Sequence, residues 1–93
     1  MVVMLTITDD AAILVGALTD DGDRSPRSGL RIIVDPTHHS LSMGVAASPA
    51  PGDTVVTHGT ARVFLSPSAA GRLHHRTLRA ELSADRSRFF LDG

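Results

Sequence analysis

The sequence predicts an α+β domain in which short strands outnumber helices. Short apolar runs recur along the 93 residues, and most of them end at glycine, proline or a polar cluster, which is typical of short strands. Helix-start signals occur at Thr8 and at Ser66-Pro67. We therefore expect about seven short strands and two helices, folded as one domain that spans residues 1–93.

The N-terminal segment predicts a strand followed by a helix. Leu5–Ile7 is typical of a short strand, after which the Thr8 hydroxyl can cap a helix whose first turn holds two aspartates. Apolar residues then recur at the spacing of one helix face, at Ala11, Leu14, Val15 and Leu18. This helix is expected to end near Leu18 and to bury that face. Gly16, inside the helix, is expected to mark close packing on the sheet.

The next segments predict a loop and two strands. Thr19–Ser28 is polar, with glycine and proline, and predicts a mobile loop. Leu30–Asp35 is rich in branched apolar residues and predicts a strand that is buried on both faces. Pro36 has no N–H for a ladder, so this strand should end there. Leu41–Ala47 predicts the next strand, and the loop at 36–40 is thus held between ordered strands, where binding sites are often built.

The second half of the chain predicts four strands and a helix, in this order: strands at 54–57 and 62–65, a helix at 66–74, and strands at 78–82 and 88–91. His58-Gly59-Thr60 joins the first two of these strands tightly, as in a hairpin. Ser66 provides the helix cap and Pro67 the first helical position. A polar turn joins the last two strands.

Charge and aromatic content argue against nucleic-acid binding. The formal net charge is −1, and three phenylalanines without tyrosine or tryptophan give little surface on which bases could stack. The charge is uneven, because residues 1–23 hold five aspartates and no basic residue, whereas residues 72–88 hold five arginines against two acidic residues. Such asymmetry can steer a partner, and the alternative is that these side chains are simply solvated.

The sequence shows no signal for a membrane or for export. No stretch approaches the roughly 20 apolar residues of a membrane span. Residues 1–5 lack a basic region and lead directly into acidic residues, so we expect no signal peptide. We therefore expect a cytoplasmic protein that contacts no membrane. The absence of cysteine excludes disulfides.

Five short motifs occur in a defined order along the chain, at Leu5–Ala12, Gly29–Ile32, Leu41–Gly44, Pro51–Val56 and Ala61–Pro67. In order and spacing they resemble the HesB-like family, the A-type iron–sulfur cluster assembly and carrier proteins. The resemblance covers nearly the whole chain, and it depends on the order of the motifs because each one is short and apolar. It implies a HesB-like pseudobarrel, in which a buckled mixed sheet folds on itself.

The chain departs from that family at the residues that carry the family's chemistry. The resemblance implies one cysteine in the loop after Asp35 and a Cys-Gly-Cys in a C-terminal tail, whereas this sequence has no cysteine. The place of the loop cysteine falls on His38, or on His39 if the loop slips by one residue. The sequence ends at Gly93, so we expect the tail to be missing. Because clusters are held by cysteine thiolates, we expect no iron–sulfur cofactor.

Histidine-dependent metal binding is the alternative that the residues leave open. Imidazole suits iron and zinc. We take His38 and His39 as the candidate metal ligands, and the residues that could join them are His58, His74 and Asp35. Adjacent residues point to opposite faces of a strand and diverge on a helix, so neighbouring histidines are not a ready chelate. The simpler interpretation is that these are surface histidines.

Catalysis is not expected. Ser40–Gly44 faintly resembles a nucleophile elbow, but the first glycine is absent and the segment leads into a strand instead of a helix. No glycine-rich phosphate loop is present. We therefore assign no catalytic residue.

Three hypotheses for function follow. The first is a non-enzymatic protein-interaction module of iron–sulfur cluster assembly, with protein partners from that system and no cluster of its own. The second is a mononuclear iron or zinc protein that uses His38 and His39. The third is a module whose remaining property is self-association through exposed strand edges.

Overall fold

The structure is a computed structural model that describes residues 5–19, 28–35 and 37–92. In chain order its elements are β1 (Thr6–Ile7), α1 (Asp9–Thr19), β2 (Gly29–Val34), β3 (Leu41–Ala46), β4 (Thr54–His58), β5 (Ala61–Leu65), α2 (Pro67–Leu73), β6 (Thr77–Glu81) and β7 (Arg88–Asp92). The predicted α+β class, with two helices and seven strands, is confirmed. Most of the predicted loop at 19–28 and the start of the chain at 1–4 lie outside the described residues.

The strands form two mixed sheets. One sheet has three strands in the order β1-β6-β7, and the other has four strands in the order β3-β2-β5-β4. Each sheet contains one parallel pair, which is β1 with β6 in the first and β2 with β5 in the second. The resemblance implied a single buckled sheet folded into a pseudobarrel. In the part of the chain that the structure describes, the hydrogen-bonded ladders form two separate sheets that do not close into a barrel.

Helix α1 connects the two sheets, because it packs against β6 of one sheet and against β2 and β5 of the other. Its start is fixed by Thr8, whose Oγ1 accepts a hydrogen bond from the N–H of Ala11 at 3.2 Å, as the sequence predicted. The same hydroxyl donates to the carbonyl of Leu78 in β6 at 3.2 Å. The cap therefore also attaches the helix to the three-stranded sheet.

The predicted buried face of α1 is correct for three of its four residues. Ala11, Leu14 and Val15 are buried, but Leu18 is 43% exposed. Periodicity identifies the face of a helix, but it does not show how far the surface beneath that helix extends. The expectation that Gly16 marks close packing is wrong, since a Cβ at this position would meet no atom of the described residues within 4 Å.

The core lies between α1, α2 and the two sheets. Helix α2 packs on β2 and β5. Its N-cap is Ser66, whose Oγ accepts from the N–H of Ala69 at 3.2 Å. The buried apolar side chains that form one cluster are Leu5, Ile7, Ala11, Val15, Leu30, Ile32, Ala61, Val63, Leu65, Ala69, Ala70, Leu73 and Leu78. No helix in the described part of the chain is long and apolar enough to cross a lipid bilayer.

Candidate functional site

The loop between β2 and β3 is closed by its own backbone. The N–H of Asp35 donates to the carbonyl of Ser40 at 2.7 Å, and the N–H of His39 donates to the carbonyl of Asp35 at 2.8 Å. His39 has a φ of 56°, in the left-handed region that few non-glycine residues adopt. The candidate metal loop is therefore a tight turn that projects beyond a paired hairpin.

The carboxylate of Asp35 organises this turn. Its Oδ1 accepts from the N–H of Thr37 at 2.8 Å and from that of His38 at 3.4 Å, and its Oδ2 lies 3.1 Å from Nδ1 of His38. The Thr37 N–H first, and then the His38 ring, hold the pKa of Asp35 below its usual value. An ionised Asp35 can only accept, so Nδ1 of His38 is the donor in this contact.

This contact favours one tautomer of the neutral His38 ring. When Nδ1 carries the proton of a neutral imidazole, Nε2 retains the lone pair that a metal requires. A carboxylate that accepts from the second nitrogen of a ligating histidine is a common feature of metal sites, because it fixes the tautomer and the ring orientation. The side chain of His38 is 74% exposed, so Nε2 is accessible to an ion from solution.

His39 is held through its backbone. A guanidinium nitrogen of Arg72, in the last turn of α2, donates to its carbonyl. The loop is therefore attached to α2 as well as to the sheet. Sequence reasoning missed Arg72, which is 33 positions away along the chain. The only sequence signal for it is a basic residue at the end of a short helix, where carbonyl groups attract positive charge.

The other predicted ligands form pairs elsewhere. Nε2 of His58 lies 2.7 Å from Oδ1 of Asp9, and the rings of His74 and His75 have centroids 3.9 Å apart. Within residues 5–19, 28–35 and 37–92, no three histidine, aspartate or glutamate side chains are grouped so that they could hold a metal ion. Of the residues that could join His38, Asp35 makes a direct contact with it, and its carboxylate contacts Nδ1 of the His38 ring.

A concave surface lies on a different part of the molecule. An open groove of about 630 Å³ runs along the three-stranded sheet. Its lining residues belong to the start of α1, to β6 with the residue that follows it, and to β7. They are Asp10, Arg79, Ala80, Glu81, Leu82, Phe90 and Asp92. The groove does not include His38 or His39. The exposed loop and the groove are therefore separate surfaces.

Comparisons with known proteins give a match in structure but not in sequence. No family model matches the chain, and no protein of curated function matches it in sequence. The structure of SufA from Escherichia coli, described as involved in biosynthesis of iron–sulfur clusters, matches with a TM-score of 0.76 and 20% identity over 94% of this chain and 82% of SufA.

Two further solved structures match over nearly the whole chain. IscA with a 2Fe–2S cluster has a TM-score of 0.73 and 21% identity, over 95% of this chain and 83% of IscA. A protein from Aquifex aeolicus has a TM-score of 0.74 and 19% identity, over 98% of this chain and 92% of that protein. The chain therefore has the fold of SufA and IscA. At the level of fold, this confirms the resemblance that the motif order predicted.

Proposed function

We propose that this chain is a non-enzymatic protein-interaction module of iron–sulfur cluster assembly, and that it does not carry a cluster itself. One observation supports the proposal above all. The fold of SufA and IscA is present over at least 94% of a chain whose 93 residues contain no cysteine. The shape on which partners would dock is thus retained without the thiolates.

The residues present do not fit an iron–sulfur cluster. Clusters are held by cysteine thiolates, and even the centres with mixed ligands retain two cysteines beside two histidines. The resemblance places the family's loop cysteine at His38, or at His39 if the loop slips by one residue. Nδ1 of His38 is engaged by Asp35 at 3.1 Å. One imidazole nitrogen at this place cannot replace a set of four ligands, and the sequence supplies no thiolate to complete it. We derive no cluster chemistry for this chain.

The partners that we propose are proteins of the assembly system, including the A-type carriers whose fold the chain shares. The described part of this chain has exposed sheet edges and an open groove, which are surfaces for protein contact. A membrane or a nucleic acid is not among the proposed partners, in line with the net charge of −1. A cytoplasmic location stays a prediction.

Binding to an A-type carrier tests the proposal. In titration calorimetry we expect the purified chain, without a histidine tag, to bind IscA or SufA. The heat of binding should reach saturation as the chain is added. A protein of different fold with a similar net charge is the control, and it should give no heat. If neither carrier binds the chain, whether loaded with a cluster or empty, the proposed role as a module of this system is wrong.

The alternative function is binding of a mononuclear iron or zinc ion by His38 and His39. The contact that favours it is the one between Asp35 and His38, because it leaves Nε2 of His38 with its lone pair in a solvent-exposed position. His39 lies next to it on the same tight turn. Water molecules would have to complete the coordination, since the described residues offer no third ligand nearby.

A metal titration distinguishes this alternative from the first proposal. If the loop is a metal site, Zn²⁺ should shift the ring resonances of His38 and His39 together. Asp35→Asn should then weaken the affinity by about 10-fold, because it removes the carboxylate that orients the ring. His58→Ala is the matched control and should leave the affinity unchanged. Binding that resists His38→Ala, or the absence of any shift at millimolar metal, would rule out this alternative.

A further inference from the structure

A short turn at the end of α2 carries a histidine where glycine is preferred. The turn spans residues 73–76 and is closed by the N–H of Arg76, which donates to the carbonyl of Leu73 at 3.0 Å. His74 has a φ of −59° and a ψ of 128°, and His75 has a φ of 65°. These angles are typical of a type II turn, whose third residue is left-handed and is usually glycine. The chain thus keeps an imidazole at a position where glycine would be less strained.

The same backbone feature occurs on the loop that is attached to this helix. Within the described residues, His39 and His75 are the two residues other than glycine with a left-handed φ. The loop is joined to α2 by Arg72, whose guanidinium donates to the carbonyl of His39, and the turn at 73–76 follows Arg72 directly. Residues held in such conformations cluster at binding sites and switch regions. Two of them on adjoining segments indicate a binding surface at this place.

This surface, which we call the α2 corner, consists of His39, Arg72, His75 and Arg76, and all four residues are exposed. Three other arginines of the chain pair with a carboxylate. Neither Arg72 nor Arg76 has a carboxylate partner among the residues that the structure describes. Asp35, the carboxylate of the adjoining loop, is engaged by that loop itself. The α2 corner therefore holds two positive charges that are not neutralised by a contact within the described chain.

We propose that the α2 corner binds an acidic segment of a protein partner, with Arg72 and Arg76 in contact with its carboxylates. Guanidinium groups bind carboxylates through parallel, charge-assisted hydrogen bonds, which are stronger than neutral ones. Arg72 uses one N–H on the His39 carbonyl, and a guanidinium has five. The rings of His39 and His75 add further N–H donors. Because these groups are spread over an exposed loop and turn, they suit several carboxylates along a chain better than one small anion.

The inference deepens the proposed function and rests on it for its biological role, since it names the surface through which the interaction module would meet a partner. A nucleic acid suits this surface less well than an acidic protein segment, because the chain has a net charge of −1 and no tyrosine or tryptophan for base stacking. Binding of an acidic peptide can be measured without any assembly protein, so the two proposals fail separately. A chain that binds the peptide but neither carrier retains this proposal and refutes the first, and the reverse result refutes this one alone.

A labelled peptide in which glutamate alternates with serine is the probe, and fluorescence anisotropy measures its affinity for the full chain. A peptide with lysine in place of glutamate should not bind. Arg72→Gln and Arg76→Gln should each weaken binding of the glutamate peptide by about 3- to 5-fold, the range for an exposed ion pair. Arg86→Gln is the matched control, because Arg86 also has no carboxylate partner among the described residues but lies in the turn before β7. It should leave the affinity unchanged.

His75→Gly separates binding from folding. Glycine relieves the left-handed conformation, so this variant should unfold at the same urea concentration as the parent or at a higher one. It should nevertheless bind the glutamate peptide about 2-fold or more weakly, because the imidazole donor is lost. A parent chain that binds this peptide no more tightly than it binds free acetate overturns the proposal, as does tighter binding of a single-stranded oligonucleotide of equal charge. Parent-like affinity in Arg76→Gln or in His75→Gly overturns it as well.

Discussion

Replacing Gly29 with alanine is expected to destabilise the chain by about 1–3 kcal/mol, because it overfills a space that cannot expand. A Cβ at Gly29 would lie 2.6 Å from the carbonyl oxygen of Arg62 and 2.8 Å from the ring of Phe64. The first atom belongs to the backbone of β5, and the second belongs to a side chain that is fully buried. Neither can move without disturbing the contact between β2 and β5 or the core.

Gly44→Ala is the matched control for this prediction. Gly44 lies in β3, the strand that pairs with β2, and in the part of the chain that the structure describes a Cβ at this position would meet no atom within 4 Å. Its replacement should leave the free energy of unfolding unchanged or raise it slightly, since alanine restricts the unfolded chain. Urea unfolding of both variants provides the measurement. Equal stabilities for the two variants would contradict the close approach of β2 and β5 at Gly29.

Removal of the Asp53 carboxylate is expected to cost about 2–3 kcal/mol, because this buried acceptor takes hydrogen bonds from a charged group and from the backbone. The Asp53 side chain is fully buried. It accepts from Nε of Arg31 at 2.9 Å, from Nη2 of Arg31 at 3.1 Å and from the N–H of Ala50 at 2.9 Å. These bonds attach the turn before β4 to the middle of β2. Asp53→Ala leaves Arg31 and the Ala50 N–H without this acceptor.

The same contact predicts a dependence on pH. The hydrogen bond from Arg31 is the main reason that the pKa of Asp53 lies below its usual value. A carboxyl group whose pKa is lower in the folded state contributes stability above its unfolded pKa of about 3.9. That contribution is lost as the pH falls through the folded pKa. From neutral pH to below about 4, the parent chain should therefore lose more stability than Asp53→Ala does.

Asp92→Ala is the control for Asp53→Ala. Asp92 also accepts from an arginine at 2.8 Å, but its side chain is 54% exposed and that of Arg79 is 61% exposed. Exposed ion pairs contribute little to stability, so the unfolding free energy should hardly change. Unfolding in denaturant at neutral and acidic pH provides both comparisons. If the parent chain and Asp53→Ala lose the same unfolding free energy between neutral pH and below about pH 4, the Arg31–Asp53 pair does not act as described.

The order of the elements could be predicted because each boundary has a local chemical cause. Thr8 and Ser66 cap the two helices as expected. The strand before Pro36 ends at Val34, in line with the lack of an N–H in proline. The separation of the strands into two sheets could not be predicted, because it depends on pairing between segments that are far apart along the chain, such as β1 with β6.

The candidate site could be predicted only in part, for the same reason. Asp35 was among the residues that could join His38, and only three positions separate the two. The contact of Arg72 with His39 joins a helix to a distant loop, and no local pattern specifies it. The burial of Asp53 beneath Arg31 is likewise a consequence of tertiary packing. Sequence signals identify which groups are available, whereas the fold decides which of them meet.

The central proposal is that this chain takes part in iron–sulfur cluster assembly without carrying a cluster. Anaerobic reconstitution with iron, sulfide and empty IscA tests it most directly, followed by separation of the two proteins and measurement of iron and visible absorption in each. We expect the two proteins to co-elute before separation, with the cluster found on IscA and none on the 93-residue chain. Stoichiometric iron and a visible absorption band on the separated chain would contradict the proposal.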